Sequence, residues 1–417
     1  MARAPQEIQG LAARRAALRL LDAVLRRGET LDRAAGAATA GLLTSSDIAL
    51  ARAIAGEALR WLVDLDALID SATRQRLAGD AKVRSVLRIM LAQWLRLQTP
   101  PHAVVATALP LLAGGPRRLA HGVFGALVRQ DAALPSAPTL PAAVAGRWGE
   151  RAVAIAAGLA DPPPLDLTLR DKPSTEGWRD EFDGASFMPG HVRLPRGRAI
   201  HDLRGFDTGD WWVQDFAASL PARILRAQPG EEVLDLCAAP GGKALQLAAD
   251  FAAVTMVDVS ARRIERIEQN FARVCLSYVD IACADALTWD TEKRFDAILL
   301  DAPCTATGTA RRHPDVLHRI GPRQIDQMAQ LQSRLLERAP RWLKPGGRLV
   351  YAVCSLEREE GEKQAVRAAL TPDPIIPGEL PEWLSPTPEG WLRTDPGLIA
   401  EHGGMDGFFV ARFVNKA

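Results

Sequence analysis

Cysteine is scarce in this 417-residue chain, whose five cysteines include no C-x-x-C pair. An odd number of thiols without close spacing argues against a disulfide framework and against a structural zinc site. The chain also lacks an apolar run near the roughly eighteen residues that a membrane-spanning helix needs. Its first residues continue into an amphipathic helix and contain no signal-peptide core or cleavage site. These absences predict a soluble, cytoplasmic protein without a bound metal.

Lysine is scarce too, and the formal net charge of +1 conceals an asymmetry. Residues 1–150 hold 19 Lys and Arg against 12 Asp and Glu, a surplus of seven, whereas the remainder holds 32 against 38. Basic charge concentrated in the first third favours an anionic polymer such as nucleic acid as the partner. The same surplus is also compatible with an ordinary solvated surface.

Two phosphate-binding signatures are missing. A P-loop requires Ser or Thr after its lysine, but Ala244 follows Lys243, and no G-x-G-x-x-G exists that would indicate a dinucleotide-dependent dehydrogenase. What residues 231–251 do contain is an apolar run, a Pro-Gly-Gly turn and apolar residues at helical spacing. This pattern predicts strand, loop and helix, with Gly241 and Gly242 letting the backbone approach a ligand closely.

The ligand that suits such a loop without needing a phosphate site is S-adenosyl-L-methionine. Two later apolar segments end at acids that agree with this choice. Asp258 ends the segment AVTMVD, where a carboxylate can accept hydrogen bonds from both ribose hydroxyls. Asp285 follows a third segment and can meet the adenine amine. The alternative interpretation is a generic nucleotide fold with surface acids.

The chain divides by pattern into four parts. Helical periodicity extends from about residue 11 to 133 and predicts an all-α bundle, and the proline-rich segment 134–143 reads as a linker. Residues 144–212 form a small, mixed α+β part. Strands alternate with helices over 213–417, which predicts a doubly wound, Rossmann-like α/β domain. We expect the final segment, DGFFVARFV, to be an edge strand.

Two cysteines follow predicted strands of this last domain, at the edge where ligands bind in such sheets. They are Cys304 in DAPC and Cys354 in YAVCS. A buried cysteine is usually a small hydrophobe, and the other three, Cys237, Cys275 and Cys283, are interpreted in that way.

Two thiols facing one crevice favour methylation of cytosine C5. That carbon becomes nucleophilic only after a thiolate adds at C6, and a second group must then assist release of the product. Asp301 precedes Cys304 and can stabilise the adduct by a hydrogen bond at N3, provided that the carboxyl or the base carries a proton.

Three segments, VLDLCAAPGGK, DAPCTATGTARRHPD and YAVCSLEREEGE, resemble in order and spacing the signature motifs of the RNA cytosine-5 methyltransferase family. With a helical N-terminal part, the arrangement is similar to bacterial small-subunit ribosomal RNA methyltransferases of the Sun/Fmu type. Their N-terminal domain is similar to the antitermination factor NusB, a likeness carried here by IMLAQWLRLQTPPHAVVATAL and HGVFGALVR. The resemblance is weakest from 144 to 210. It implies a cytoplasmic enzyme whose substrate is 16S ribosomal RNA. We expect a monomer, and the NusB-like domain, residues 1–133, is expected to bind RNA, with a protein partner as the open alternative.

The resemblance also implies a role for individual residues. Cys354 becomes the nucleophile, and Cys304 becomes the residue that assists product release. The implied contacts with S-adenosylmethionine are Cys237, Ala238, Ala239, Pro240, Gly241, Gly242, Lys243, Asp258, Asp285 and Asp301.

The chain departs from the family pattern at a few positions. Val353 stands where the family commonly has Thr, Thr305-Ala306 replaces Ser-Gly, and an Asn often found near Gly361 is missing. None of these changes removes a reacting group, although each can alter rate or base positioning. Arg311, Arg312 and His313 lie where the family loop approaches RNA, either as a phosphate clamp or as a solvated charge cluster.

Two alternative functions remain open at this point. One is a transfer RNA cytosine-5 methyltransferase, which has the same chemistry. The other is a catalytically inactive RNA-binding factor for ribosome assembly or antitermination, which the presence of both cysteines and all the strand-end acids disfavours.

Overall fold

The computed structural model describes residues 10–277 and 279–416, which form two compact units. The helical unit runs to Ala160 and includes Ala310–Ile320, and the sheet unit consists of Asp161–Thr309 and the chain from Gly321 onward. The domain boundaries predicted at 133, 143 and 212 stay predictions. No helix in the described part of the chain is both long and apolar enough to cross a membrane.

The helical unit begins with α1 (Leu11–Arg27), α2 (Leu31–Thr39), α3 (Ser45–Arg60), α4 (Leu62–Ser71), α5 (Lys82–Leu95), α6 (Pro101–Ala108), α7 (Gly114–Arg129), α8 (Ala142–Trp148) and α9 (Ala152–Gly158). The threonine before α2 and the threonine before α3 each accept a hydrogen bond from the first helical turn, which satisfies an otherwise unpaired amide. The apolar stripes meet in one core, which includes Leu20, Leu59 and Met90. The predicted helical bundle is confirmed.

The rest of the chain contains β1 (Leu165–Leu169), α10 (Thr175–Glu181), β2 (His191–Leu194), β3 (Trp211–Val213), α11 (Phe216–Leu225), β4 (Glu232–Leu236), α12 (Gly242–Ala249), β5 (Ala253–Asp258), α13 (Ala261–Val274), β6 (Val279–Cys283), β7 (Phe295–Asp301), α14 (Val316–Arg319), α15 (Pro322–Arg338), β8 (Leu343–Val353), α16 (Glu362–Arg367), β9 (Thr371–Pro372), β10 (Leu392–Arg393) and β11 (Phe409–Val414). Of these, α14 belongs to the helical unit.

The main sheet has the order β10-β11-β8-β7-β4-β5-β6, with β9 on the side of β11. The strands from β4 to β8 run parallel, and β11 is antiparallel to β8. Val233, Leu234 and Leu236 of β4 are fully buried because helices cover both faces of a parallel sheet. The predicted Rossmann-like fold is confirmed, and a small antiparallel sheet, β2-β1-β3, precedes it.

The prediction of an edge strand at β11 is wrong. This strand pairs with β8 along one side and with β9 and β10 along the other, and Phe409 and Phe413 are buried. The sequence pattern alternates because the charged Arg412 lies between apolar residues, but the side chain of Arg412 is buried as well. The Arg412 guanidinium lies 2.7 Å from Asp373 and 2.9 Å from Glu379, so a buried charge imitates a solvent-facing residue in the sequence.

A short segment of the methyltransferase-like sequence, Ala310–Ile320, joins the helical unit. The guanidinium of Arg60 donates to the backbone oxygen of Arg311 at 2.8 Å, and Nε2 of His318 donates to the backbone oxygen of Leu59 at 2.7 Å. Burial lowers the pKa of His318, which keeps the imidazole neutral while it donates.

Candidate active site

The loop from Cys237 to Lys243 connects β4 to α12, as predicted. Backbone amides of Cys237 and Ala238 both donate to the carbonyl of Val257 in β5, at 2.8 and 3.2 Å, which fixes the loop beside the neighbouring strand. Gly241 has φ of 97°, a left-handed conformation that a residue with a Cβ atom rarely adopts. The backbone of the loop therefore lies at the carboxyl ends of the strands, where a ligand can approach it closely.

Asp258 ends β5 and is nearly buried against this loop. Its Oδ2 accepts from the amide of Ala239 at 3.2 Å, its Oδ1 accepts from the amide of Ser260 at 3.0 Å, and Arg263 lies 3.3 Å away. Asp285 follows β6, is exposed, and accepts from the amide of Leu287 at 2.9 Å. Both acids thus lie at the carboxyl edge of the sheet.

Asp301 ends β7 and pairs with the lysine of the loop. Nζ of Lys243 donates to Oδ2 of Asp301 at 2.6 Å, and it also lies over the ring of Phe408. Burial alone would lower the pKa of Lys243, but the charge and hydrogen bond of Asp301 outweigh it and raise this pKa. Lys243 is therefore a stable cation at the base of the crevice.

Sequence reasoning missed Asp235, which lies inside β4. Its carboxyl group is buried, and neither oxygen has a hydrogen-bond partner among the described residues. Burial raises its pKa well above the usual range, and the nearby charge of Asp301 raises it further. The signal in the sequence was an acidic residue within the apolar run VLDL, since burying a carboxyl group in a strand is costly and therefore indicates a specific role.

The two cysteines predicted to react lie together. Cys304 follows β7 and Cys354 follows β8, and the two Sγ atoms are 3.3 Å apart because these strands are neighbours. The hydrogen bond with Cys354 and burial raise the pKa of Cys304 well above the usual range. The raised pKa keeps the proton on the Cys304 thiol.

The other cysteines differ in their surroundings. Burial and the charge of Asp258 raise the pKa of Cys237 to about 12, so this thiol stays neutral. Cys275 and Cys283 are exposed, which contradicts their interpretation as buried hydrophobes. Each lies at the surface end of its element, where local apolar neighbours in the sequence do not imply burial.

The departures from the family pattern have structural correlates. Thr305 keeps a hydroxyl, which donates to the carboxylate of Glu360, whereas Ala306 has φ of 57° in the left-handed region where glycine is favoured. A Cβ atom at Gly361 would lie 2.8 Å from Cγ of Phe409 and closer still to the guanidinium of Arg393. A side chain at Gly361 would thus require both neighbours to move.

The three basic residues after Thr309 are not equivalent. Arg311 is fully buried within the helical unit, Arg312 is exposed, and His313 lies 3.6 Å from Asp32. A phosphate clamp made of all three side chains is therefore wrong for Arg311, because its side chain is not at the surface.

A doubly wound sheet with a glycine-rich loop after β4, acids after β5 and β6 and paired thiols defines a Rossmann-like methyltransferase. The sequence profile of 16S rRNA methyltransferase RsmB/F matches residues 222–414, and that of the NusB family matches residues 11–114. The chain belongs to the ribosomal RNA small subunit methyltransferase B family, which confirms the predicted resemblance.

Individual relatives support this membership. The chain is 33% identical to ribosomal RNA small subunit methyltransferase B of Cronobacter sakazakii, over 90% of this chain and 92% of that protein. It is 36% identical to the protein of the same name from Xanthomonas campestris pv. campestris, over 85% of this chain and 87% of that protein. The crystal structure of PH0851 shares the fold, with a TM-score of 0.71 and 23% identity, covering 96% of this chain and 98% of that chain.

Proposed function

We propose that this protein transfers the methyl group of S-adenosyl-L-methionine to C5 of a cytosine in 16S ribosomal RNA. The observation that carries the proposal is the separation of 3.3 Å between the Sγ atoms of Cys304 and Cys354 at the carboxyl edge of the sheet. Methyl transfer to oxygen or nitrogen needs no thiol, whereas C5 of cytosine needs one to add and a second group to assist release. The names of the relatives support ribosomal RNA as the substrate.

The residues of the crevice fit the cofactor by the chemistry of their polar groups. Carboxylates at Asp258 and Asp285 suit the hydroxyl and amine donors of an adenosine. Lys243 and Asp301 offer charges of both signs to the amino acid portion. When bound, S-adenosylmethionine supplies an electrophilic methyl group.

The thiolate of Cys354 begins the reaction by adding to C6 of the target cytosine. The electron pair of the C5–C6 double bond moves toward C5 and N3, and C5 becomes able to attack the methyl group. Asp301 stabilises the adduct by a hydrogen bond at N3, where the base carries the proton. The target base must leave its stack to reach the crevice, so an unpaired region of the RNA is the natural substrate.

Cys304 acts after methyl transfer. Once Cys354 is bonded to C6 it is a neutral thioether, and the interaction that holds the proton most strongly on Cys304 is gone. Cys304 releases its proton to solvent, and the resulting thiolate removes the proton from C5. The C5–H electrons re-form the double bond and expel the Cys354 thiolate, which yields 5-methylcytosine and restores the free enzyme.

The test is transfer of labelled methyl groups to naked 16S ribosomal RNA and to bulk transfer RNA, with Cys354→Ala as the control. Bisulfite sequencing maps each product to a nucleotide. We expect one protected cytosine in 16S RNA and no label with the variant. Label in transfer RNA alone would identify transfer RNA as the substrate instead of 16S ribosomal RNA. The absence of label in both RNAs, with folded and cofactor-bound protein, would overturn the proposal.

A further inference from the structure

A buried carboxylate bridges the two segments that carry the reacting cysteines. Oε2 of Glu360 accepts from the amide of Thr305 at 2.9 Å, and Oε1 accepts from the hydroxyl of Ser355 at 2.8 Å. The hydroxyl of Thr305 also donates to Oε1. Thr305 directly follows Cys304 and Ser355 directly follows Cys354, so one side chain is bonded to the next residue after each thiol.

The same carboxylate is held from the surrounding elements. Nε2 of Gln332, in α15, donates to Oε2 of Glu360 at 3.0 Å and to the carbonyl of Pro303 at 2.8 Å. The hydroxyl of Tyr351, in β8, donates to the backbone oxygen of Glu360 at 2.5 Å. Since Pro303 and Thr305 flank Cys304, both chain neighbours of that thiol are fixed by this network.

Two further hydrogen bonds, each with a backbone group, connect the same segments. The amide of Gly308 donates to the carbonyl of Cys354 at 3.1 Å, and the hydroxyl of Thr307 accepts from the amide of Leu356 at 3.0 Å. These bonds hold the two segments near each other, but neither involves a residue adjacent to Cys304. The hydroxyls of Thr305 and Ser355 lie 3.4 Å apart, and Glu360 accepts from both, so its carboxylate ties together the immediate neighbours of both sulfurs.

We propose that Glu360 is a positioning residue that fixes the separation of the two thiols, an inference that rests on the function proposed above. Donors converge on its carboxylate from two segments and one helix, and the side chain is fully buried. Removal of the carboxylate would take away the acceptor of the buried Thr305 amide and the acceptor shared by the Thr305 and Ser355 hydroxyls, which weakens the contact between the two segments. A shift of about 1 Å at reacting groups costs on the order of 10²-fold in rate.

The network allows a conservative variant to be distinguished from a disruptive one. In Glu360→Gln, the amide oxygen can still accept from the amide of Thr305 and from Gln332, while the new N–H groups donate to the two hydroxyls, which are able to accept. Glu360→Gln therefore keeps the bridge without its charge. Glu360→Ala removes the bridge altogether.

The first experiment is steady-state kinetics on the RNA that the wild-type protein methylates. We expect Glu360→Ala to lower kcat roughly 10²-fold with little change in KM for S-adenosylmethionine, and Glu360→Gln to stay within about three-fold of wild type. The matched control is Glu359→Gln, since the neighbouring Glu359 pairs with Lys363 at 2.7 Å instead and should leave kcat unchanged.

The second experiment measures the position of the thiols without RNA. The azo oxidant diamide takes two electrons and two protons from a thiol pair, forming one S–S bond and a hydrazine. We expect rapid formation of the Cys304–Cys354 disulfide in wild type and in Glu360→Gln, and about ten-fold slower formation in Glu360→Ala, because the sulfurs must be within bonding reach. Peptide mapping by mass spectrometry identifies the bridge.

Each outcome bears on the proposal. Equal kcat and equal disulfide rates in wild type and Glu360→Ala would overturn it, as would a loss in Glu360→Gln as large as in Glu360→Ala, since charge would then be the cause. Should Glu360→Ala fail to fold, Ser355→Ala removes one donor and is expected to slow both reactions by a smaller factor. If wild type methylates no RNA while the disulfide pattern holds, the proposed function fails and the positioning role stands.

Discussion

The sulfur atom of Cys304 lies 3.3 Å from that of Cys354, although fifty positions separate the two residues in the chain. Neighbouring parallel strands produce this contact, since Asp301 of β7 is paired with Ala352 of β8 and each cysteine follows within three residues. The hydrogen bond with Cys354 and burial raise the pKa of Cys304 well above its usual range.

Replacing each cysteine separately should give two different defects. Cys354→Ala is expected to abolish methyl transfer, because no thiolate can add to C6, whereas Cys304→Ala should transfer a methyl group and then retain the RNA as a covalent adduct. Denaturing electrophoresis of protein with labelled RNA detects the adduct. Cys275→Ala, at an exposed thiol, serves as the control. Inactive Cys304→Ala without an adduct would contradict the assignment.

Asp258 should contribute to cofactor affinity. Replacement by Asn keeps the shape but removes the charge, and a hydrogen bond to a charged group is worth about 1.5–3 kcal/mol, so affinity for S-adenosylmethionine should fall about ten-fold or more. Isothermal calorimetry measures this directly. Asp290→Asn, an exposed acid in the same part of the chain, should bind like wild type. Unchanged binding by Asp258→Asn would remove this residue from the site.

Ala306 should gain stability when replaced by glycine. Its φ of 57° lies in the left-handed region, which costs a residue with a Cβ atom about 1 kcal/mol relative to glycine. Urea unfolding should show a higher free energy of unfolding by about that amount. Ala37→Gly in the exposed face of α2 should have the opposite effect, a loss of about 1 kcal/mol. A destabilised Ala306→Gly would contradict the strain argument.

Asp235 should make the cofactor-free protein less stable as pH rises. Burial raises the folded-state pKa of Asp235 well above its ordinary value of 3.8, so the contribution of Asp235 to stability is fully present below pH 3.8. This contribution is lost as pH rises from 3.8 through the folded-state pKa, because the unfolded chain ionises freely while the folded protein would have to hold a buried charge. Asp235→Asn cannot ionise and should flatten this part of the curve of unfolding free energy against pH. Parallel curves for the two proteins would show that Asp235 ionises without cost.

Much of the fold was predictable because its signals are local. The run around Val233, the turn at Gly241 and the helix-spaced residues after it each depend on neighbours in sequence. The prediction failed at β11, where Arg412 is buried with Asp373 and Glu379. A strand whose charged residue forms a buried ion pair has the same alternating sequence as a strand with one solvated face. Only the position of the acidic partners shows that the charge is buried.

The candidate site was predictable to the extent that strand ends converge in a parallel sheet. Asp258, Cys304 and Cys354 each follow a recognisable apolar run, so their common edge could be inferred. The role of Glu360 could not be predicted, since it is one acid among several in LEREEGE. Nothing in the local sequence distinguishes it from Glu359, which pairs with Lys363 at the surface. Its role depends on donors from Thr305 and Gln332, which lie far away in sequence.

The sequence by itself determined the helical first part, the alternating strands and helices of the second, the glycine-rich loop and the presence of two thiols after strands, because periodicity, turn residues and side-chain chemistry are properties of short segments. Only the tertiary structure decided that the pKa of Cys304 is raised, that Arg311 is buried, and that Glu360 joins the two cysteine segments. Proton affinity and hydrogen bonding depend on burial and on neighbours brought together by folding, which no local pattern encodes.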